Sequence, residues 1–469
     1  MKRQKLSLFC FILIYCLTLV LKPQAAYATV ADNSSWPEGP GVFAEGAIVM
    51  EASTGLILYS KNMNEHYYPA SITKVMTALV AIENSTPGEI VTFSKDAIFG
   101  VDLDSSRIGI DVGEQLTMQQ CLYAILLESA NEVSYAVAEH VGGGDVNVFI
   151  DMMNEKARSL GCKNTNFVNP HGLHDDNHYT SPYDMALITR EAMKNEAFRK
   201  IFSTRTYTIP PTNIQEETRY LANHHKFILN RSYENCLGGK TGYTSVSRFT
   251  LVTTAKRGDL ELVCIVMRDD SSEHQYSDTS KLLNYGFDNF SIYPIADLED
   301  APVLKESPFF TRYNTLLSKT DGSITTDEKG YLVLPNSASF EDAVKEVSFF
   351  PAGSETGKDN VIGKISYNYN GKYVGGADIL YNDVEHPSLF HEEAVKPEPT
   401  AAAPAGPTAE DDKVTYRPII IGLIVGLFAL VIGLYFVLVE RPRLKRRNAY
   451  YKKRALRKSS FQDDDYLDL

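Results

Sequence analysis

Ser71-Ile72-Thr73-Lys74 sets a hydroxyl and an amine three residues apart, so at the start of a helix both lie on one face. Serine alone is a weak nucleophile, and lysine can take its proton once burial or a second cation has lowered the amine's pKa. A helix N-terminus adds backbone N–H groups aimed at a developing oxyanion. A plain amphipathic helix would carry the same tetrad, and about two are expected by chance in a chain this long. Ser129-Ala130-Asn131 can place a proton-shuttling hydroxyl and a substrate-binding amide in a cleft. Ser60-Lys61-Asn62 and Ser366-Tyr367-Asn368 share its pattern, and taken alone a helix-end cap is the better reading of it. Lys240-Thr241-Gly242, just before an expected strand, offers positive potential for a carboxylate, a hydroxyl, and room for a substrate at the strand edge. A β-turn with a solvated lysine is the competing reading.

In the order SxxK, SxN, KTG, the three motifs match the active-site set of penicillin-binding proteins and serine β-lactamases. Pro69-Ala70-Ser71-Ile72-Thr73-Lys74-Val75-Met76-Thr77, Asn169-Pro170-His171-Gly172-Leu173, His178-Tyr179-Thr180-Ser181 with Asp184, and Gly239-Lys240-Thr241-Gly242 narrow the match. Together they resemble the D-alanyl-D-alanine carboxypeptidase family over about residues 40–390. The resemblance implies that Ser71 attacks the D-Ala–D-Ala bond to form an acyl-enzyme, with Lys74 as its base, kept neutral by Lys240 and burial. It implies that Ser129 relays protons, Asn131 binds a substrate amide, and Lys240 and Thr241 recognise the carboxylate beside Gly242. The backbone N–H groups of Ser71 and Tyr243 would form the oxyanion hole. The implied partners are peptidoglycan stem peptides, with β-lactams as covalent inhibitors, and no metal or organic cofactor is needed.

The chain departs from the family at three places. Ala130 stands where many relatives have glycine, and Tyr243 where a histidine is common. Gln275 occupies the place of an arginine that helps hold the terminal carboxylate, leaving Arg248 and Arg268 as candidate substitutes. His171, His174, His178, His224 and His225 lack metal-ligand spacing, and His171 and His178 are expected to hold a loop over the helical region. Two rivals follow. A β-lactamase of one group would need a glutamate-held water from the loop between SxN and KTG, and that loop is built around Asn169-Pro170-His171-Gly172-Leu173. A catalytically weak wall-binding scaffold rests only on the uncertain carboxylate site.

Positioning these groups requires an α+β fold, an antiparallel sheet flanked by a helical region, over residues 42–290. Ala47-Ile48-Val49-Met50 and Gly55-Leu56-Ile57-Leu58-Tyr59 read as strands, 71–82 and 116–140 as helix, 249–255 and 260–267 as a hairpin, and 280–290 as a closing helix. Residues 291–392 read as a small β-rich domain, with strands at 331–334 and 347–350. Residues 393–416, rich in Pro and Ala, read as a stalk.

The 469-residue chain carries a net charge of −13, unevenly spread. Residues 1–28 hold +4 and residues 441–469 hold +6, leaving −23 for residues 29–440. A body that acidic repels nucleic-acid backbones, so nucleic acid is excluded as a partner. Residues 1–28 read as a signal peptide ending in Ala26-Tyr27-Ala28, with an uncleaved anchor as the alternative. Residues 418–439 read as a single transmembrane helix, since the 21 uncharged residues 419–439 span about 31 Å. The basic tail 440–469 follows on the cytoplasmic side, which puts the catalytic body outside the cell membrane. Cys121, Cys162, Cys236 and Cys264 lack zinc-site spacing and read mainly as small buried hydrophobes, with one disulfide open.

Overall fold

The computed structural model describes residues 36–298, 323–350 and 360–382. The expected signal peptide, stalk, transmembrane helix and basic tail lie outside the described residues. Among the described residues no helix is long and apolar enough to cross a membrane.

The strands are β1 Gly46–Glu51, β2 Ile57–Lys61, β3 Ile90–Thr92, β4 Gln115–Thr117, β5 Thr206–Ile209, β6 Arg219–Ala222, β7 Cys236–Thr244, β8 Arg248–Arg257 and β9 Leu260–Asp269, then β10 Phe290–Pro294, β11 Ser323–Thr326, β12 Tyr331–Pro335, β13 Val344–Phe349, β14 Val361–Tyr369 and β15 Lys372–Asn382. Five form an antiparallel sheet in the order β2-β1-β9-β8-β7, which leaves β7 at an edge. Side chains alternate across a strand, so β1 and β9 supply two cores. Ile48, Met50, Val263, Ile265 and Met267 pack toward the helical region. Ala47, Val49, Leu262, Cys264 and Val266 pack on the other face with Leu282 and Leu283 of the Ser272–Asn289 helix. That second cluster continues into Leu332, Val333, Leu334 and Ile365 of a six-stranded sheet ordered β10-β12-β15-β14-β13, with β11 paired to β15. The fold is α+β, as expected.

Four local readings are corrected. The stretch read as helix from Ser71 opens as a 3-10 turn, Ala70–Thr73, and the α-helix proper is Lys74–Glu83. Side chains at i and i+3 eclipse in a 3-10 turn, so Ser71 and Lys74 stand closer than an α-helix alone would put them. The stretch read as helix over 116–140 is a short strand and two helices, Met118–Leu127 and Asn131–Val141. A capping box between Thr117 and Gln120 starts the first helix, and Ser129 at φ +62° breaks the run. Lys240-Thr241-Gly242 lies inside β7 rather than before a strand, because pairing with β8 overrides the turn-like glycines. The closing helix begins earlier, at Ser272, capped by Ser271, whose side chain accepts from His274 N–H. All four described cysteines are free, so the open disulfide does not form.

Candidate active site

The Ala70–Thr73 turn docks on edge strand β7. Thr250 Oγ1 of β8 donates to Pro69 O at 2.8 Å, fixing the chain just before Ser71. Gly242 brings the strand against the turn: a Cβ there would come within 3.0 Å of Ser71 N and 2.3 Å of Thr250 Oγ1. The turn carrying Ser71 and edge strand β7 therefore meet closely at Gly242.

Lys74 is fully buried at the start of its helix. Its Nζ lies 3.1 Å from Ser71 Oγ and 2.6 Å from Asn131 Oδ1, and it also donates to the His171 carbonyl. Asn131 Oδ1 and a backbone carbonyl only accept, so a neutral amine spends both its protons on them and aims its lone pair at the Ser71 hydroxyl. Burial holds the Lys74 amine well below its usual range, the Lys240 charge adds to this, and Glu132 opposes it. Because its Oδ1 is taken by Lys74, Asn131 keeps only its Nδ2 group for a substrate. Ser129 Oγ is buried with no hydrogen-bond partner among the described residues. Lys240, 1% exposed, donates to Thr241 O at 2.8 Å, and burial lowers its pKa to about 7 against a small upward pull from Glu128.

The loop at 169–173 buttresses this centre from below. Pro170 O accepts from Thr77 Oγ1 at 2.6 Å, one helical turn beyond the Lys74 contact with His171 O. His178 Nδ1 accepts from Val168 N–H (3.1 Å), so Nε2 carries the proton and donates to Thr73 Oγ1 (2.8 Å), which in turn donates to Ala70 O. Burial lowers His178 to about 3 and keeps it neutral. Both histidines thus hold the loop, as anticipated, while the His171 carbonyl is a direct Lys74 ligand that the sequence reading missed. The Asn169-Pro170-His171-Gly172-Leu173 segment was its only signal. No glutamate stands in residues 164–181 to hold a deacylating water.

Residues 33–271, half of the chain, match the profile of the family described as D-alanyl-D-alanine carboxypeptidase. This chain belongs to the D-alanyl-D-alanine carboxypeptidase family of serine hydrolases. DacF of Bacillus subtilis, a D-alanyl-D-alanine carboxypeptidase, is 34% identical over 254 residues, covering 54% of this chain and 64% of that one, just under two thirds. DacA of Haemophilus influenzae, another D-alanyl-D-alanine carboxypeptidase, is 29% identical over 361 residues, covering 75% of this chain and 88% of that one. The crystal structure of the Streptomyces K15 DD-transpeptidase superposes with a TM-score of 0.51 at 31% identity, covering 54% of this chain and 100% of that one. Penicillin binding protein 5 from Haemophilus influenzae superposes at 0.59 with 25% identity, covering 74% of this chain and 99% of that one.

Against this D-alanyl-D-alanine carboxypeptidase background, the two arginines considered as substitutes near Gln275 differ in their surroundings. Arg268 is held by Glu45 at 3.0 Å, and Arg248 sits exposed where the β7–β8 hairpin closes, opposite Thr244. Gln275 is buried, its Oε1 without a partner among the described residues and its Nε2 3.4 Å from Ser272 Oγ. The same hydroxyl accepts from Lys226 Nζ at 3.0 Å. Lys226, which the sequence reading passed over, is thus a cation beside the arginine's place. Tyr243 is 56% exposed and packs its ring on Phe249 at 4.6 Å, at the rim rather than in the depth of the cleft.

Proposed function

We propose that this protein is a serine-type D-Ala-D-Ala carboxypeptidase that trims peptidoglycan stem pentapeptides, with Ser71 as nucleophile and Lys74 as general base. The observation that carries it is the buried Lys74 amine, its pKa held well below the usual range, lying 3.1 Å from Ser71 Oγ and bonded to Asn131 Oδ1 and the His171 carbonyl. Ser71 Oγ attacks the penultimate D-Ala carbonyl while its proton passes to Lys74. The Ser71 and Tyr243 amides stabilise the oxyanion, Asn131 Nδ2 and edge strand β7 align the peptide, and Ser129 carries a proton to the leaving amine. Lys240 and Thr241 hold the terminal carboxylate. Water then hydrolyses the acyl-enzyme, and a β-lactam acylates the same serine. Purified protein given a pentapeptide releases D-alanine and retains a long-lived labelled-penicillin adduct; absence of both would overturn the reading, and rapid penicillin turnover would favour the β-lactamase.

Lys240 binds a carboxylate only when charged, and its empty-site pKa lies near 7. KM for the pentapeptide should therefore rise as pH climbs through about 7, while kcat falls as pH drops through the lowered pKa of Lys74, which must be neutral. A pH–rate profile with KM flat from pH 6 to 9 would remove Lys240 from carboxylate binding. Lys226→Ala should raise KM about 2- to 5-fold, the size of an exposed ion pair, with kcat unchanged. Arg268→Ala should alter neither constant, and steady-state kinetics on both variants decides.

The arrangement in the cell is also our reading. Its support is the signal-like residues 1–28, the 21 uncharged residues 419–439 and the basic stretch beyond them. On that reading the catalytic body faces outward, the strands β10–β15 form a β-rich domain over residues 291–392, and 393–416 form the stalk. Protease protection of the tail in intact cells tests it.

A further inference from the structure

Far from Ser71, the β1–β2 turn and the Pro182–Ala192 helix meet the second sheet around a cavity of about 330 Å³, within the size range of small-ligand sites. Its lining holds three cations, Arg190, Lys329 and Lys364, together with Tyr331 and Tyr373. Elsewhere in this acidic protein Arg199, Arg219, Arg257 and Arg268 are each bound to a carboxylate. The three in the cavity are not, among the described residues. Arg190 gives Nε to Ala52 O and Nη2 to Ser53 O, so neutral carbonyls hold the guanidinium in place. Lys364 Nζ lies over the Tyr373 ring at 5.7 Å, and Lys329 projects from the turn between β11 and β12. Glu51 of the β1–β2 turn is 1% exposed and turned into four hydrogen bonds from Ser53 and Thr54, and Asp378 stands opposite Lys364 in the β14–β15 register, so local acids offset the three cations only in part.

We propose that this cavity binds a phosphate group, carried by a phosphodiester-linked anionic polymer such as a glycerol-phosphate chain. A fixed guanidinium with two mobile ammonium groups suits a tetrahedral oxyanion that presents several oxygens, whereas one carboxylate would leave two cations unmatched. Lys329 and Lys364 are exposed at the rim, so a chain can run outward from the bound phosphate. The site would tether the enzyme to polyanionic material independently of the catalytic cleft.

Binding of inorganic phosphate, acetate and a glycerol-phosphate oligomer to the full-length protein tests this by calorimetry at low salt. The oligomer should bind at least tenfold more tightly than inorganic phosphate, and its affinity should fall steeply as salt rises. The Lys329→Ala/Lys364→Ala double variant should lose at least tenfold in affinity for the oligomer and acylate with penicillin at the wild-type rate. Arg190→Ala should lose more, and its melting temperature reports whether the turn it braces has loosened. Unchanged oligomer binding in the double variant, acetate binding as tightly as phosphate, or an oligomer no tighter than free phosphate would each overturn the proposal. Since penicillin acylation is read separately, failure here is distinguishable from failure of the carboxypeptidase reading.

Discussion

Replacing Lys74 with methionine is expected to slow acylation of Ser71 by penicillin about 10²- to 10⁴-fold, the usual worth of a positioned general base. Methionine keeps the buried chain length and removes only the amine. The loss should persist from pH 6 to 9, because no amine remains to deprotonate. Lys74→Arg should fail as well, since a guanidinium keeps the charge but stays protonated and cannot take the serine proton. Circular dichroism and thermal melting must accompany the kinetics, because Lys74→Met strips the donor from Asn131 Oδ1 and His171 O. A folded Lys74→Met variant acylating within threefold of wild type would move the base role to another group.

Gly172→Ala should be the most damaging single methyl near the site. Gly172 sits at φ +86°, and a Cβ there would come 1.9 Å from Ala70 O and 2.9 Å from Thr73 Oγ1. The left-handed backbone alone costs about 1–2 kcal/mol for alanine, and forced repacking typically adds about 1–3. A loss of roughly 2–5 kcal/mol would lower Tm by about 5–15 °C in a domain of this size. Gly143→Ala is the control: φ is +69°, yet nothing lies within 4 Å, so only the backbone cost applies. The folded fraction of Gly172→Ala should also acylate slowly, because the displaced carbonyl belongs to the residue before Ser71. A Gly172→Ala melting curve no lower than that of Gly143→Ala would show that the loop yields without cost.

Much of the site was legible because its parts are short motifs with fixed spacing. Ser71 and Lys74 are local neighbours, and Lys240-Thr241-Gly242 needed only a strand. What sequence spacing does not carry is contact between distant segments. The His171 carbonyl meets Lys74 across 97 residues, and Lys226 meets Ser272 across 46. A backbone acceptor has no sequence signature, and a surface lysine looks like any other until the fold sets it beside Gln275. The continuous helix over 116–140 was misread for a related reason: the break at Ser129 is a backbone conformation that apolar periodicity does not encode. Lys240-Thr241-Gly242 was placed just before a strand rather than within one, because the strand state of β7 comes from pairing with β8, not from its own composition.

The four unbridged thiols bear on how the enzyme matures. Cys121 and Cys264 are buried, and burial pushes Cys162 and Cys236 up to about 12, so none is a ready thiolate. A fold closed by apolar packing alone owes nothing to an oxidase or a disulfide isomerase. Folding yield and melting temperature should therefore be the same with or without a reductant, and the enzyme can reach its working state across a wide span of ambient redox potential.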